Sequence, residues 1–281
     1  AFAVLAVSLF TGVVINSEAT AATGSGKRVV YVENEINNPD GAWANVTGTG
    51  AENDPYVIST IGQLRYLSQK STYATTNGKY YKIDPSIGTM VFQRESYINN
   101  VFGSLDALLE KSGSEVKTQF TNNTTNLTQY QSGNNGDGFA GTIDFSGVTI
   151  CGMYNPNGGL FSKVIGDVTI KNLKVTNSYV KGSENVGAII SRSYKTAATE
   201  TGSVTVQNCS VTDVYLESTA TTGYYGVGAI AGHVDNAYSR SEASEDLDIN
   251  GDGDKSDTIY YNGQVNVNNC FVNIDKDCLI A

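Results

Sequence analysis

The chain has 281 residues, with 18 Lys and Arg against 28 Asp and Glu, a formal net charge of −10 and only 16% charged residues. So few cations argue against nucleic-acid binding, which depends on neutralising phosphates. A single histidine, His233, excludes multi-histidine metal sites and two-histidine mechanisms. Asn, Thr, Ser and Gly are abundant instead, as in secreted β-rich proteins, and 40% hydrophobic content is enough for one long core or two small ones.

Ala1 to Ile15 (AFAVLAVSLFTGVVI) is uncharged but shorter than the about 20 apolar residues that a membrane span requires. Small residues at Ala19 and Ala21 follow it, so residues 1–21 read as a secretory signal, truncated at its N-terminus, with cleavage after Ala21. The chain is accordingly read as a window on a longer exported protein. Residues 22–47 read as an extended linker with a short strand at Val29 to Val32, and Asn34 to Asn53, which runs on past it, is turn-rich.

Residues 48–138 read as an N-terminal capping region carrying an inserted loop. Thr60 and Gln63 form a capping box, and Ile61, Leu64 and Leu67 share one helical face. Lys79 to Ile83 reads as a strand. Ser104 to Lys111 reads as a short helix with Ser104 as N-cap and Gly113 as its stop. Thr121 to Gly138 holds almost no large apolar residue and reads as a surface loop.

From Phe139 an internal repeat appears. VTIKNLKVTNSYV starts at Val168, VTVQNCSVTDVYL at Val204 and VNVNNCFVNIDKD at Val265, the last after an acidic insertion at 236–262. A Gly-bearing segment follows the first two units, at Val186 to Ile190 and Val227 to Gly232, and Gly159-Leu160-Phe161 holds the matching place in a degenerate earlier unit. Units this short cannot bury an apolar face alone, so they stack. Stacking at about 4.8 Å aligns Val168/Val204/Val265 and Ile170/Val206/Val267 in core ladders, and Asn172/Asn208/Asn269 in a turn column. The expected fold is all-β, a right-handed parallel β-helix over residues 139–281, with a small mixed α/β N-terminal cap.

GTGAENDPYVISTIGQLRYLSQ (Gly48 to Gln69), GKYYKI (Gly78 to Ile83), FAGTIDFSGVTICGM (Phe139 to Met153), GGLFSKV (Gly158 to Val164) and the VGAI segments resemble bacterial GLUG-type repeat surface proteins. The resemblance covers roughly residues 48–85 and 139–281, and the Met90 to Gly138 insertion departs from it. It implies a right-handed parallel β-helix, extracellular display and adhesin-like or matrix-binding roles. It brings no catalytic residues.

DINGDGDKSD, Asp248 to Asp257, is the sharpest local motif. Oxygen donors at Asp248, Asn250, Asp252 and Asp254, with Gly253 for the tight turn, match the first half of a Ca²⁺ loop, whose alternate residues converge on one hard cation. The twelfth place is Ile259 rather than a bidentate carboxylate, with Asp257 as the nearby substitute. The expectation is a Ca²⁺ site on these five residues; the alternative is a solvated acidic turn.

Tyr179 and Tyr215 occupy the same place in successive units and by alternation point opposite to Val180 and Leu216, hence outward. Exposed aromatics on a flat sheet stack on sugar rings, which makes both candidate ligand-binding residues. The competing reading is that cross-strand tyrosines stabilise the sheet. Tyr194, Tyr224, Tyr225, Tyr260 and Tyr261 lie near turns of the same region. Cys209 and Cys270 share a ladder with Leu173 and read as buried free thiols, a disulfide between them being the alternative.

The functional expectation is a non-catalytic, secreted or cell-surface binding protein for a glycan or protein ligand. It has no nucleic-acid partner and no stable membrane span in the mature chain. The alternatives are a structural stalk presenting a further domain, or a carbohydrate-active enzyme. A glycosidase needs two facing carboxylates; Asp144, Asp167, Asp213 and Asp235 are available, but no pair of them recurs with a supporting Arg, Lys or His. His233, beside Gly232, reads as a turn residue.

Overall fold

A computed structural model describes residues 26–32, 39–132, 138–194, 202–221, 226–234, 237–241, 258–262, 265–274 and 279–280. The chain opens with β1 (Arg28–Tyr31), α1 (Pro39–Trp43), β2 (Tyr56–Ile58), α2 (Ile61–Lys70), α3 (Tyr73–Thr76), β3 (Tyr80–Ile83) and β4 (Ile87–Val91). The capping box expected at Thr60 is formed: its hydroxyl accepts from the Gln63 amide and the Gln63 side chain accepts from the Thr60 amide. Ile61, Leu64 and Leu67 are all buried, as their spacing requires.

Three helices follow: α4 (Glu95–Phe102), α5 (Leu105–Leu109) and α6 (Gly113–Asn122). Ser104 caps α5 as expected, accepting from the Ala107 amide. Gly113 is not a stop, because Ser112 caps a new helix there with Glu115 completing the box. The supposed surface loop also changes character. Its first two residues belong to α6, and Tyr130 is fully buried in contact with Phe92, ring centres 4.8 Å apart.

The repeat region then runs β5 (Thr142–Asp144), β6 (Thr149–Cys151), β7 (Tyr154–Asn155), β8 (Phe161–Ile165), β9 (Val168–Lys171), β10 (Lys174–Gly182), β11 (Val186–Gly187) and β12 (Ile190–Tyr194). It continues with β13 (Val204–Gln207), β14 (Ser210–Ser218), β15 (Val227–Gly228) and β16 (Ala231–Val234). Beyond these come β17 (Ala237–Ser241), β18 (Thr258–Asn262), β19 (Val265–Asn268), β20 (Phe271–Asn273) and β21 (Leu279–Ile280).

Equivalent strands of successive units pair parallel and in register, Val168 with Val204 with Val265 and Val175 with Val211 with Val272. One sheet has the order β2-β3-β5-β9-β13-β19, a second β1-β4-β6-β10-β14-β20, a third β8-β12-β16 and a fourth β11-β15. The first starts in the expected cap and the second in the expected linker, at β1, so linker, capping region and repeats share one hydrophobic core. Burial depends on a neighbour on each side: Val206, between two paired strands, is 2% exposed, whereas its ladder mate Val267 is 51% exposed.

The asparagine column forms as its spacing predicts. Asn172, Asn208 and Asn269 have φ of 60°, 54° and 50°. Their side chains bond in series, Asn269 Nδ2 to Asn208 Oδ1 at 2.9 Å, Asn208 Nδ2 to Asn172 Oδ1 at 3.2 Å and Asn172 Nδ2 to Asp144 Oδ1 at 2.8 Å. Asn tolerates this left-handed conformation and brings a donor and an acceptor, so one residue type serves both needs. The glycine of the VGAI segments has an equally local reason. A Cβ at Gly187 would collide with the Ile190 carbonyl oxygen and lie 2.7 Å from the Gly232 amide.

The all-β, right-handed parallel β-helix expected from the repeat is not what the chain forms. Six helices stand among the described residues, the strands divide into several separate parallel sheets without a closed solenoid, and β17 pairs antiparallel with β18. The repeat pattern dictates which strands pair, and that pairing is present. It dictates neither closure nor what covers the outer faces. The fold is a mixed one, parallel sheets with helices packed on them.

Candidate functional site

Tyr179 and Tyr215 are in-register partners on β10 and β14, with ring centres 5.6 Å apart, and Tyr154 continues the column at 5.4 Å from Tyr179. They point away from the core shared by the sheets, as alternation requires. Helices α4, α5 and α6 cover that face and enclose a second apolar cluster containing Tyr97, Ile98, Leu108, Val116 and Phe120. Tyr179 is 3% exposed and its hydroxyl donates to Glu217 Oε2 at 2.6 Å. Burial, then this bond to a carboxylate, holds the phenol well above its ordinary pKa. Lys117 Nζ of α6 sits 5.3 Å from the Tyr215 ring centre. The tyrosines expected on an open ligand face therefore form the floor of a helix-covered interface.

The helices reach this close through two features. Asn177 has φ 42°, and its Nδ2 donates to the Leu109 carbonyl at 3.4 Å and to that of Lys111. A Cβ at Gly113 would stand 2.8 Å from the Val214 carbonyl carbon and 2.9 Å from the Tyr215 amide, so α6 begins on β14 with no room for a side chain.

Asp248, Asn250, Asp252, Asp254 and Asp257 lie outside the described residues, and so does Asp235. Of the other acids considered for catalysis, Asp144 accepts from Asn172 and the Ser146 amide and pairs with Lys171 at 3.5 Å. Asp167 accepts from the Ser203 amide. Asp213, at φ 52°, is held above the usual carboxylate range by burial. These three sit on different elements, each within local structure. Cys151, Cys209 and Cys270 are free thiols. Cys209 is buried, as expected, but Cys270 on the last unit is only partly so. No described helix is long and apolar enough to cross a membrane.

A different face presents an open site. Where β8 and β12 meet the turns before them lies a depression of about 320 Å³, lined among others by Asn157, Lys163, Glu184, Asn185, Ser191 and Arg192. Register fixes its cationic wall, since Lys163 of β8 and Arg192 of β12 are direct cross-strand partners, and His233 of β16 is the partner of Arg192 on the next strand. His233 is thus a strand residue rather than the turn residue expected from Gly232. The opposite wall is built by turns with their own anchoring, Asn185 Oδ1 accepting from the Gly226 amide at 3.0 Å and Ser218 Oγ donating to the Glu184 carbonyl at 3.1 Å. Ser191 Oγ accepts from the Gly159 amide, tying the two walls together. Pro156 is the one apolar side chain among the described lining residues.

Comparison with family models, curated proteins and solved structures found no match. The reading of function rests on this geometry.

Proposed function

We propose that this chain is an exported, non-catalytic binding protein of the bacterial cell surface, adhesin-like in action, which holds a glycan or protein ligand on the β8–β12–β16 face. The open polar depression at Lys163 and Arg192 carries this reading. Sites for small apolar molecules are enclosed and mostly hydrophobic; this one is open, and hydroxyls, amides and charges line it. Such a surface suits one stretch of an extended polar ligand. Affinity then builds by repetition along the sheet, since several weak contacts on one scaffold add as effective concentration.

The GLUG-type resemblance and the signal-like N-terminal run support display outside the cell. The acidic insertion supplies a Ca²⁺ site on Asp248, Asn250, Asp252, Asp254 and Asp257 that stiffens its own loop. Binding of the full chain to an array of glycans and bacterial or host surface proteins tests the function, with Arg192→Ala as comparison. Specific binding lost in the variant is the expected result. Binding that Arg192→Ala leaves intact, or release of reducing sugar from a bound polysaccharide, overturns the reading.

A further inference from the structure

The geometry points to an acidic polysaccharide, bearing carboxylates or sulfates, as the ligand of the β8–β12–β16 face, laid across the strands along the Lys163–Arg192–His233 column. This rests on the binding role proposed above and names its ligand class.

The column is the unusual feature. Like charges directly opposite one another on neighbouring strands destabilise a sheet, yet Lys163 and Arg192 are direct partners. The four ion pairs among the described residues involve neither of them. Arg192 is exposed and Lys163 half-buried, each ordered by its strand at a spacing of about 4.8 Å. An anion seated between them would relieve the repulsion, and a guanidinium meets a carboxylate or sulfate through two parallel hydrogen bonds. His233 extends the same row by one strand with a ring N–H donor, so the row offers polar contacts along a line, which fits an extended chain rather than one isolated anion.

The remaining lining selects among polyanions. Asn157, Ser183, Asn185 and Ser191 surround the cations with hydroxyl and amide groups, partners for the hydroxyls of a sugar chain. Among the described residues no aromatic side chain lines the depression, so these offer no platform for the base stacking by which single-stranded nucleic acid is held. Among the described lining residues there is also no apolar pocket of the kind that anchors peptides. Within the depression one carboxylate, Glu184, stands against Lys163 and Arg192, so its described lining carries a net positive charge.

The test uses the full chain and five probes: polygalacturonate, dextran sulfate, unmodified dextran, polyglutamate and single-stranded DNA. The expected result is binding of one or both acidic polysaccharides, weakening as salt is raised, with dextran, polyglutamate and DNA at least tenfold weaker. Lys163→Glu/Arg192→Glu should lower polysaccharide affinity at least tenfold, Arg192→Gln should lower it less, and Lys79→Glu, at an exposed lysine outside the depression's lining, should leave it unchanged. Both mutated side chains reach solvent, and an unchanged circular dichroism spectrum verifies the fold. Binding to polygalacturonate alone identifies the carboxylate form, and to dextran sulfate alone the sulfate form. The inference is overturned if dextran binds equally well, if polyglutamate or DNA competes as strongly, or if the double variant binds like the parent. If an array ligand binds through Arg192 while both acidic polysaccharides are ignored, only the ligand class falls and the binding role stands.

Discussion

Phe120→Ala should uncover the tyrosine column. Phe120 is 1% exposed on α6, with ring centres 6.1 Å from Tyr97, 5.9 Å from Phe102 and 6.2 Å from Tyr154. Truncating a buried phenylalanine costs about 3–5 kcal/mol, and each aromatic neighbour adds about 0.5–1.5 kcal/mol beyond buried area. Three such neighbours place this site in the upper half, about 4 kcal/mol, which for a chain of this size lowers Tm by roughly 8 °C. Urea unfolding followed by circular dichroism measures the loss. Nitration by tetranitromethane, read by mass spectrometry, measures the exposure: Tyr179 should resist in the parent and react in the variant. Phe120→Leu, which keeps most of the volume, should cost less than about 1.5 kcal/mol and keep Tyr179 protected. A loss below about 1 kcal/mol in Phe120→Ala, with Tyr179 equally protected, would refute the packing of α6 on this sheet.

Asn208→Ala should cost about 2 kcal/mol, from the left-handed φ of 54° and two lost column bonds, and Asn208→Gly should recover about half; equal losses would remove backbone strain from the explanation. Asp144 is held below the usual carboxylate range: burial opposes this, but the bonds from Asn172 and Ser146 and the charge of Lys171 outweigh it. Its contribution to stability is therefore full above about pH 4 and lost as pH falls through the lowered value, so acid unfolding should be steeper in the parent than in Asp144→Asn. Burial pushes the Cys151 thiol up to about 12 and that of Cys209 up to about 11. In the native protein iodoacetamide should accordingly label Cys270 before either, as peptide mass spectrometry will report. Calorimetry should detect Ca²⁺ binding to the parent and none to Asp252→Ala; no heat from the parent removes the proposed ion.

What the sequence made legible was set by identity between units. Val168, Val204 and Val265 recur with their neighbours, and so do the three asparagines, because in-register pairing demands like residues at like places. Alternation also gave the direction of Tyr179 correctly. It could not show that helices lie over that side, since α6 (GSEVKTQFTN) offers only Val116 and Phe120 as large apolar residues, and the N-cap position of α4 is Arg94, which makes no side-chain cap. The cationic column was hidden for another reason. Lys163, Arg192 and His233 are 29 and 41 residues apart, because turns of unequal length precede β12 and β16. No fixed period connects them, and only the register of the third sheet brings them together.

Hydrogen–deuterium exchange of the full chain, with and without the tightest-binding acidic polysaccharide, tests the placement of the site most directly. New protection is expected at residues 156–163 and 182–192, which line the depression, with the amides around Tyr179 and Tyr215 unchanged beneath α6. Protection confined to the tyrosine strands, or to the acidic insertion at 236–262, would contradict it.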